Sequence, residues 1–341
     1  MTRFATAAVA ALLCAAPIWS SASAAEPKCE VDRPIVFGGL DWDSAAFHTA
    51  VAQFILNKGY GCKVDTVPGS TIPLINGLVR GDVQVLMEIW SNNQPEAWTK
   101  AAAAGTVREN GTNYPDAIQG WFVPRYVVEG DAAPARGLKS VADLAKHKAV
   151  FRDPEEPAKG RFYNCVAGWQ CEVVNEKKLH AYGLAQHFTN FRPGTGAALA
   201  AAAESAVKRR QPVLFYYWGP TWLLGKIGGD VVMLEEPAFD QAAWDAMTAE
   251  KDPAKVTKAV AYPVVKVVVG VNAAFADRAP GIARFLDAYE TTGALVSEAL
   301  AFMQDTGGKA EDGARNFLKT RPELWQAWVP AEVAARVKAA L

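Results

Sequence analysis

Charge of one sign is what this sequence lacks most plainly: 35 Lys and Arg face 36 Asp and Glu, a formal net charge of −1. A chain this near neutrality carries no field that would gather nucleic acid or an anionic membrane surface, so neither is expected as a partner. Histidine is scarce as well, with four in 341 residues. His48, His180 and His187 fall in helical patterns and His147 near a helix end; none stands at ligand spacing from a cysteine, and no bound metal is expected. There is no G-x-x-x-x-G-K-[ST] phosphate loop, since "GTGAAL" lacks the lysine and hydroxyl, and no G-x-S-x-G nucleophile elbow. Without a convincing nucleophile or base, neither catalysis nor a cofactor is expected. "DPEEPAKG" at 153–160 offers carboxylates, but its prolines and missing ligand register make it a solvated loop rather than a calcium loop.

Long apolar runs are also missing after the first two dozen residues; nothing later reaches the roughly 18 uninterrupted apolar positions of a membrane span. The start is different. MTRFATAAVAALLCAAPIWSSASAAE has one early cation, Arg3, an apolar stretch from Phe4 to about Trp19, and small residues ending in Ala22-Ser23-Ala24. That is the pattern of a secretory signal peptide, expected over 1–25 with cleavage near Ala24 or Ala25. Cys14 follows Leu12-Leu13 rather than small residues, so no lipid anchor is expected. The expected product is a soluble periplasmic or secreted chain of about 316 residues, long enough for two lobes with separate cores.

Of five cysteines, four survive such processing: Cys29, Cys62, Cys165 and Cys171. An even count in an oxidising compartment favours disulfides, and of the three possible pairings we take Cys29 with Cys62 and Cys165 with Cys171. Chain entropy assigns about 3.8 kcal/mol to the long loop and about 2.4 kcal/mol to the seven-residue one. The short bridge is the weaker global staple. Its better use is local, fixing Val166 to Gln170 and the direction of Trp169; an ordinary surface crosslink remains the alternative.

Strand and helix alternate along the chain. "RPIVFGGL", "CKVDTVPGS" and "VQVLMEIW" read as strands separated by the helices "SAAFHTAVAQFILNKGYG" and "TIPLINGLVRGD", which predicts a parallel α/β lobe. The alternation resumes with the strand "QGWFVPRYVV", the helix "SVADLAKHK", a helix after Cys171, the alanine-rich helix "GTGAALAAAAESAVKRRQ" and the strand "PVLFYYW". "YPVVKVVVGVN" is a late β-rich run, and the chain from Ala279 onward is helical in pattern. Strands around Phe122–Val128 and Val264–Val271 could connect two lobes, making 126–260 an insertion into a lobe built from 26–125 plus 261–341. The crevice between such lobes is where α/β sheets bind ligands.

Tryptophan is what the sequence has in abundance, 11 in all. Trp98, Trp222, Trp244, Trp325 and Trp328 stand in helix-like or tail contexts and are read as packing residues. Trp42, Trp90, Trp121 and Trp218 stand at strand ends, and Trp169 in the disulfide loop. If these indoles converge on one crevice they form a cage whose faces attract a cation that donates no hydrogen bonds. At about 2 kcal/mol per desolvated face, three or four would supply about 6–8 kcal/mol, near the 8.2 kcal/mol of a micromolar complex before ordering costs. A set of unrelated core tryptophans is the competing possibility. Glu88, two before Trp90, and Asp41 and Asp43 around Trp42 are acids that would face such a cation, or strand-end carboxylates in water.

"GWQCEVVNEKKLHAYGL", "RRQPVLFYYWGPTWLLGKI" and "GDVQVLMEIW" together resemble the substrate-binding proteins of ABC importers for glycine betaine, proline betaine and related quaternary amines. The resemblance implies a two-lobed periplasmic binding protein fold, type II-like, with two hinge crossings, and a monomer that delivers its ligand to a membrane permease. It places a trimethylammonium cage at Trp90, Trp169 and Trp218, with carboxylate-binding backbone N–H groups at Gln170 and Cys171. The sequence departs from the betaine binders at Gln94, where they carry histidine. It is similar to the choline binders at Trp42 but has Ser44 where they carry an acid, and Trp121 stands near a tyrosine of other members. The expected ligand is a quaternary or methylated ammonium osmolyte; trimethylamine N-oxide, choline, carnitine, histidine and proline are alternatives, with Glu88 reaching a polar end through water.

Overall fold

The computed structural model describes residues 1–2, 28–91 and 96–341. Apart from its first two residues, the expected signal peptide lies outside the described residues, as does Gln94. Three strands, β1 (Ile35–Leu40), β2 (Val64–Gly69) and β3 (Val85–Trp90), alternate with the helices Asp43–Phe54 and Thr71–Arg80. β1 pairs parallel with both neighbours. All six residues of β3 are buried, as a strand covered on both faces requires. Gly81, left-handed at φ +82°, closes the second helix, a conformation open to glycine at little cost.

The next strand leaves this pattern. β4 (Val107–Pro124) is 18 residues long. The remaining strands are β5 (Gly160–Tyr163), β6 (Phe188–Phe191), β7 (Leu214–Gly219), β8 (Val231–Met233) and β9 (Val265–Asn272). From Val107 to Ala117, β4 pairs with β9. From Ile118 to Phe122 it pairs with β7, and from Phe122 to Pro124 with β8. The sheet order is β2-β1-β3-β9-β4-β7-β5-β6, with β8 on β4. The fold is a two-lobed α/β architecture in which one strand serves both halves.

Neither half is purely parallel, in contrast to the expectation from the alternating elements. β9 runs antiparallel to β3 and β4, and β4 antiparallel to β7, because a chain that crosses between lobes and returns runs the two ways in turn. The strand expected through Val128 stops at Pro124, and Arg125–Val128 is one helical turn; proline has no N–H with which to continue a ladder. "SVADLAKHK" forms a 3₁₀ helix over Val141–Phe151 rather than an α-helix. The C-terminal helices wrap the first half, with Phe317 meeting Phe47 edge-on at 5.5 Å. Both disulfides form as paired above, Cys29–Cys62 and Cys165–Cys171. Among the described residues no helix is long and apolar enough to cross a membrane.

Candidate functional site

β1 ends at Leu40 and passes into Asp41-Trp42-Asp43, the last of which opens the helix Asp43–Phe54. β3 ends at Trp90 and carries Glu88 two residues earlier on the same face. On β7, Tyr216 and Trp218 likewise share a face, and Gln119 of β4 lies opposite Trp218. Trp169 occupies the cap position of the helix Gln170–Ala181. Trp42, Trp90, Trp169, Trp218 and Tyr216 line one cavity together with Glu88. Thr71, Gln119, Gln170 and Cys171 complete its wall, enclosing about 40 Å³. A single water needs about 10–15 Å³ on that measure, so the space suits a compact group of several heavy atoms.

The rings meet edge to face. Trp169 lies 5.2 Å from Trp42 and 5.3 Å from Trp218, both T-shaped, the arrangement in which the positive edge of one indole meets the negative face of another. Behind two of them sits Glu88, 2 % exposed. One of its oxygens accepts from Trp42 Nε1 at 2.7 Å and from Trp90 Nε1 at 3.2 Å. Burial pushes the Glu88 carboxyl above its usual range, and the hydrogen bonds, led by that from Trp42, pull it back. His48 Nε2 is 3.9 Å from the other oxygen. Burial lowers the His48 pKa to about 3, so at neutral pH the imidazole is uncharged and gives Glu88 no counter-charge. Its Nδ1 hydrogen-bonds the Tyr289 hydroxyl at 2.7 Å. Among the described residues no lysine or arginine pairs with Glu88.

The disulfide loop is held from both sides. Gly168 adopts φ +92°, and a Cβ there would come within 2.5 Å of Ser70 Oγ, so both the turn and the close approach call for glycine. The loop tryptophan donates from Nε1 to Asp41 Oδ1 at 2.6 Å. From within, Asn164 Oδ1 accepts from the Cys165 N–H at 2.6 Å and from Asn175 Nδ2 at 2.8 Å. The N–H groups of Gln170 and Cys171 lie in the first turn of their helix, ahead of any intrahelical acceptor, where free donors and the helix dipole together favour an anion.

Of the residues singled out in the sequence, Trp42, Glu88, Trp90, Trp169, Gln170, Cys171 and Trp218 come together in the cavity wall. Trp121 does not. It is fully buried, with its ring 4.3 Å from Phe162 and its Nε1 donating to Asn175 Oδ1 at 2.8 Å. β4 carries it two residues, about 6.8 Å, past Gln119 and into the core beyond the cavity. Trp222, read as a packing residue, instead donates to Asp43 Oδ2 at 2.9 Å. Thr71, Gln119 and Tyr216 were not singled out. Two-residue alternation back from Trp218 points to Tyr216; nothing in the sequence alone marks Gln119, whose place follows from long-range pairing with Trp218.

Residues 33–320 match the family described as the substrate binding domain of ABC-type glycine betaine transport system. A glycine betaine/proline betaine-binding periplasmic protein of Escherichia coli (strain K12) is 26% identical over 267 residues, covering 76% of this chain and 78% of its own. In solved structures, a glycine betaine/L-proline-binding protein of an ABC transporter from Borrelia burgdorferi superposes with a TM-score of 0.71 at 18% identity, over 89% of this chain and 100% of that one. A choline-binding protein of an ABC transporter in complex with choline gives 0.71 at 17% identity, over 92% and 98%.

Proposed function

This chain belongs to the family of substrate-binding domains of ABC-type glycine betaine transport systems, and on that footing we propose that it captures a quaternary or methylated ammonium osmolyte and hands it to a membrane permease. The observation that carries the proposal is the pairing of four indoles with a buried carboxyl group that, among the described residues, has no lysine or arginine partner, all around one cavity. Indole faces attract a cation that carries no N–H of its own. When ionised, Glu88 adds a negative charge held by the Trp42 and Trp90 N–H groups, and among the described residues no basic side chain answers it.

The ligand's cationic head occupies the space between Trp42, Trp90, Trp169 and Trp218. A carboxylate on the same ligand accepts from the Gln170 and Cys171 N–H groups. The two lobes are 26–125 plus 261–341 and 126–260, with β4 as one crossing; its change of partner between Ala117 and Ile118 supports a crossing within that strand, ahead of the boundary taken at 125. The mature protein works in the periplasm as a monomer and performs no chemistry on its cargo.

Calorimetric titration of the purified protein with glycine betaine, choline, carnitine and trimethylamine N-oxide tests the proposal. We expect at least one to bind with micromolar affinity. Absence of heat from all four at millimolar concentration, in protein shown to be folded, rejects it.

A further inference from the structure

The tripeptide Asp41-Trp42-Asp43 lies on the side of β1, β2, β3 and β9, while Trp169 and Trp222 follow β5 and β7 on the other side. Both carboxylates of the tripeptide accept an indole N–H from across the cleft, Asp41 from Trp169 at 2.6 Å and Asp43 from Trp222 at 2.9 Å. The Ile72 N–H also crosses to the Gly168 carbonyl, at 3.4 Å. We propose that Asp41 and Asp43 are positioning residues that form a two-point clasp, joining the lobes once the cage has assembled around its ligand. This rests on the functional reading above and adds how long the ligand is kept.

The clasp is coupled to the cage by covalent adjacency. Trp42, between the two aspartates, is a cage wall held by Glu88. Trp169 is at once a cage wall and the donor to Asp41, so a separation of the lobes that breaks the first bond also withdraws an indole from the cation. Trp222 is not among the residues lining the cage cavity; its ring packs against the core, and its indole N–H serves the clasp. The bonds border a second void of about 460 Å³, lined by Asp41, Asp43, Trp222 and Gly196 among others. Water in that void competes for the carboxylates, which keeps each bond weak enough to open.

The test is a double-mutant cycle of Asp43→Ala and Trp222→Phe in the full chain. Stopped-flow fluorescence reads glycine betaine association and dissociation, and thermal melting follows the ligand-free protein. We expect each single variant to dissociate about tenfold faster with association little changed, and the double variant to resemble either single one. Ligand-free melting should shift only slightly, by what the helix Asp43–Phe54 loses with its first-turn acid and what the core loses at Trp222, since the clasp itself stabilises the closed state. Asp43→Asn, which retains an acceptor, should recover part of the loss. Unchanged dissociation, effects that simply multiply, or a fall in ligand-free melting that accounts for the loss would each overturn the clasp while leaving the function intact. A wild-type protein that binds none of the four amines would overturn the functional reading itself, and the clasp with it.

Discussion

Replacing Trp169 with alanine probes the cage at the point where most of its contacts meet. One desolvated indole face is worth about 2 kcal/mol to a cation. The edge contact with Trp42, at 5.2 Å, joins the two lobes and adds about 1 kcal/mol. The hydrogen bond to Asp41 adds about 1 kcal/mol at its partly wet site. The contact with Trp218 lies within one lobe, is shared by the free and bound protein, and is left out. The total is about 4 kcal/mol, or close to a thousandfold in Kd for glycine betaine. Trp169→Phe keeps an aromatic face and loses the N–H, and should weaken binding about fivefold. Calorimetry at neutral pH, with circular dichroism to verify folding, measures both. An alanine variant within about fivefold of wild type, or a phenylalanine variant as weak as alanine, would refute the reasoning.

The pH dependence should isolate Glu88. Its pKa is raised by burial, so a cation binds the ionised form better and affinity should climb as pH rises through that elevated value; stability of the ligand-free protein should fall over the same window, because the folded state holds its proton longer than the unfolded one. Glu88→Gln should flatten the affinity profile, and an unchanged slope in calorimetry between acid and neutral pH would count against a role for this carboxylate. The disulfides should separate by readout: Cys165→Ser with Cys171→Ser should cost up to about 2.4 kcal/mol in urea unfolding and also weaken ligand binding, whereas Cys29→Ser with Cys62→Ser should cost about 3.8 kcal/mol and leave Kd unchanged. Lys178 is fully buried, bonded at 2.6 Å to Glu236, which also accepts from the Tyr182 hydroxyl. Lys178→Met should strand that carboxylate and cost about 3–5 kcal/mol in the same unfolding assay.

Four cage tryptophans were legible because local pattern places them: Trp42, Trp90 and Trp218 stand at or just past the ends of short apolar strands, and Trp169 is tethered within a seven-residue loop. Trp121 looks the same in sequence and differs in the structure, because its position depends on how far β4 extends. That length was not legible. "VRENGTNYPDAIQG" is polar, carries two glycines and a proline, and has none of the apolar runs that mark the other strands, yet it pairs with β9 through two irregularities in register. Its extended form comes from β9 and the lobes on either side, a tertiary effect that overrides local propensity. Gln119 was missed for the same reason. Trp222 was misread because helix periodicity says which residues are apolar but not what faces them across a cleft.

The asparagine relay behind the disulfide loop has a practical consequence for mutational scanning. The Trp121 N–H and the Tyr262 hydroxyl both donate to Asn175, and Asn175 donates to Asn164, whose oxygen also anchors the first half-cystine. Truncating any member of this chain would slacken the segment that presents Trp169. A survey ranked by lost affinity would therefore group Trp121 with the residues that touch the cargo. Amide exchange over 164–171 would tell them apart: faster for the relay, unaltered for Trp90.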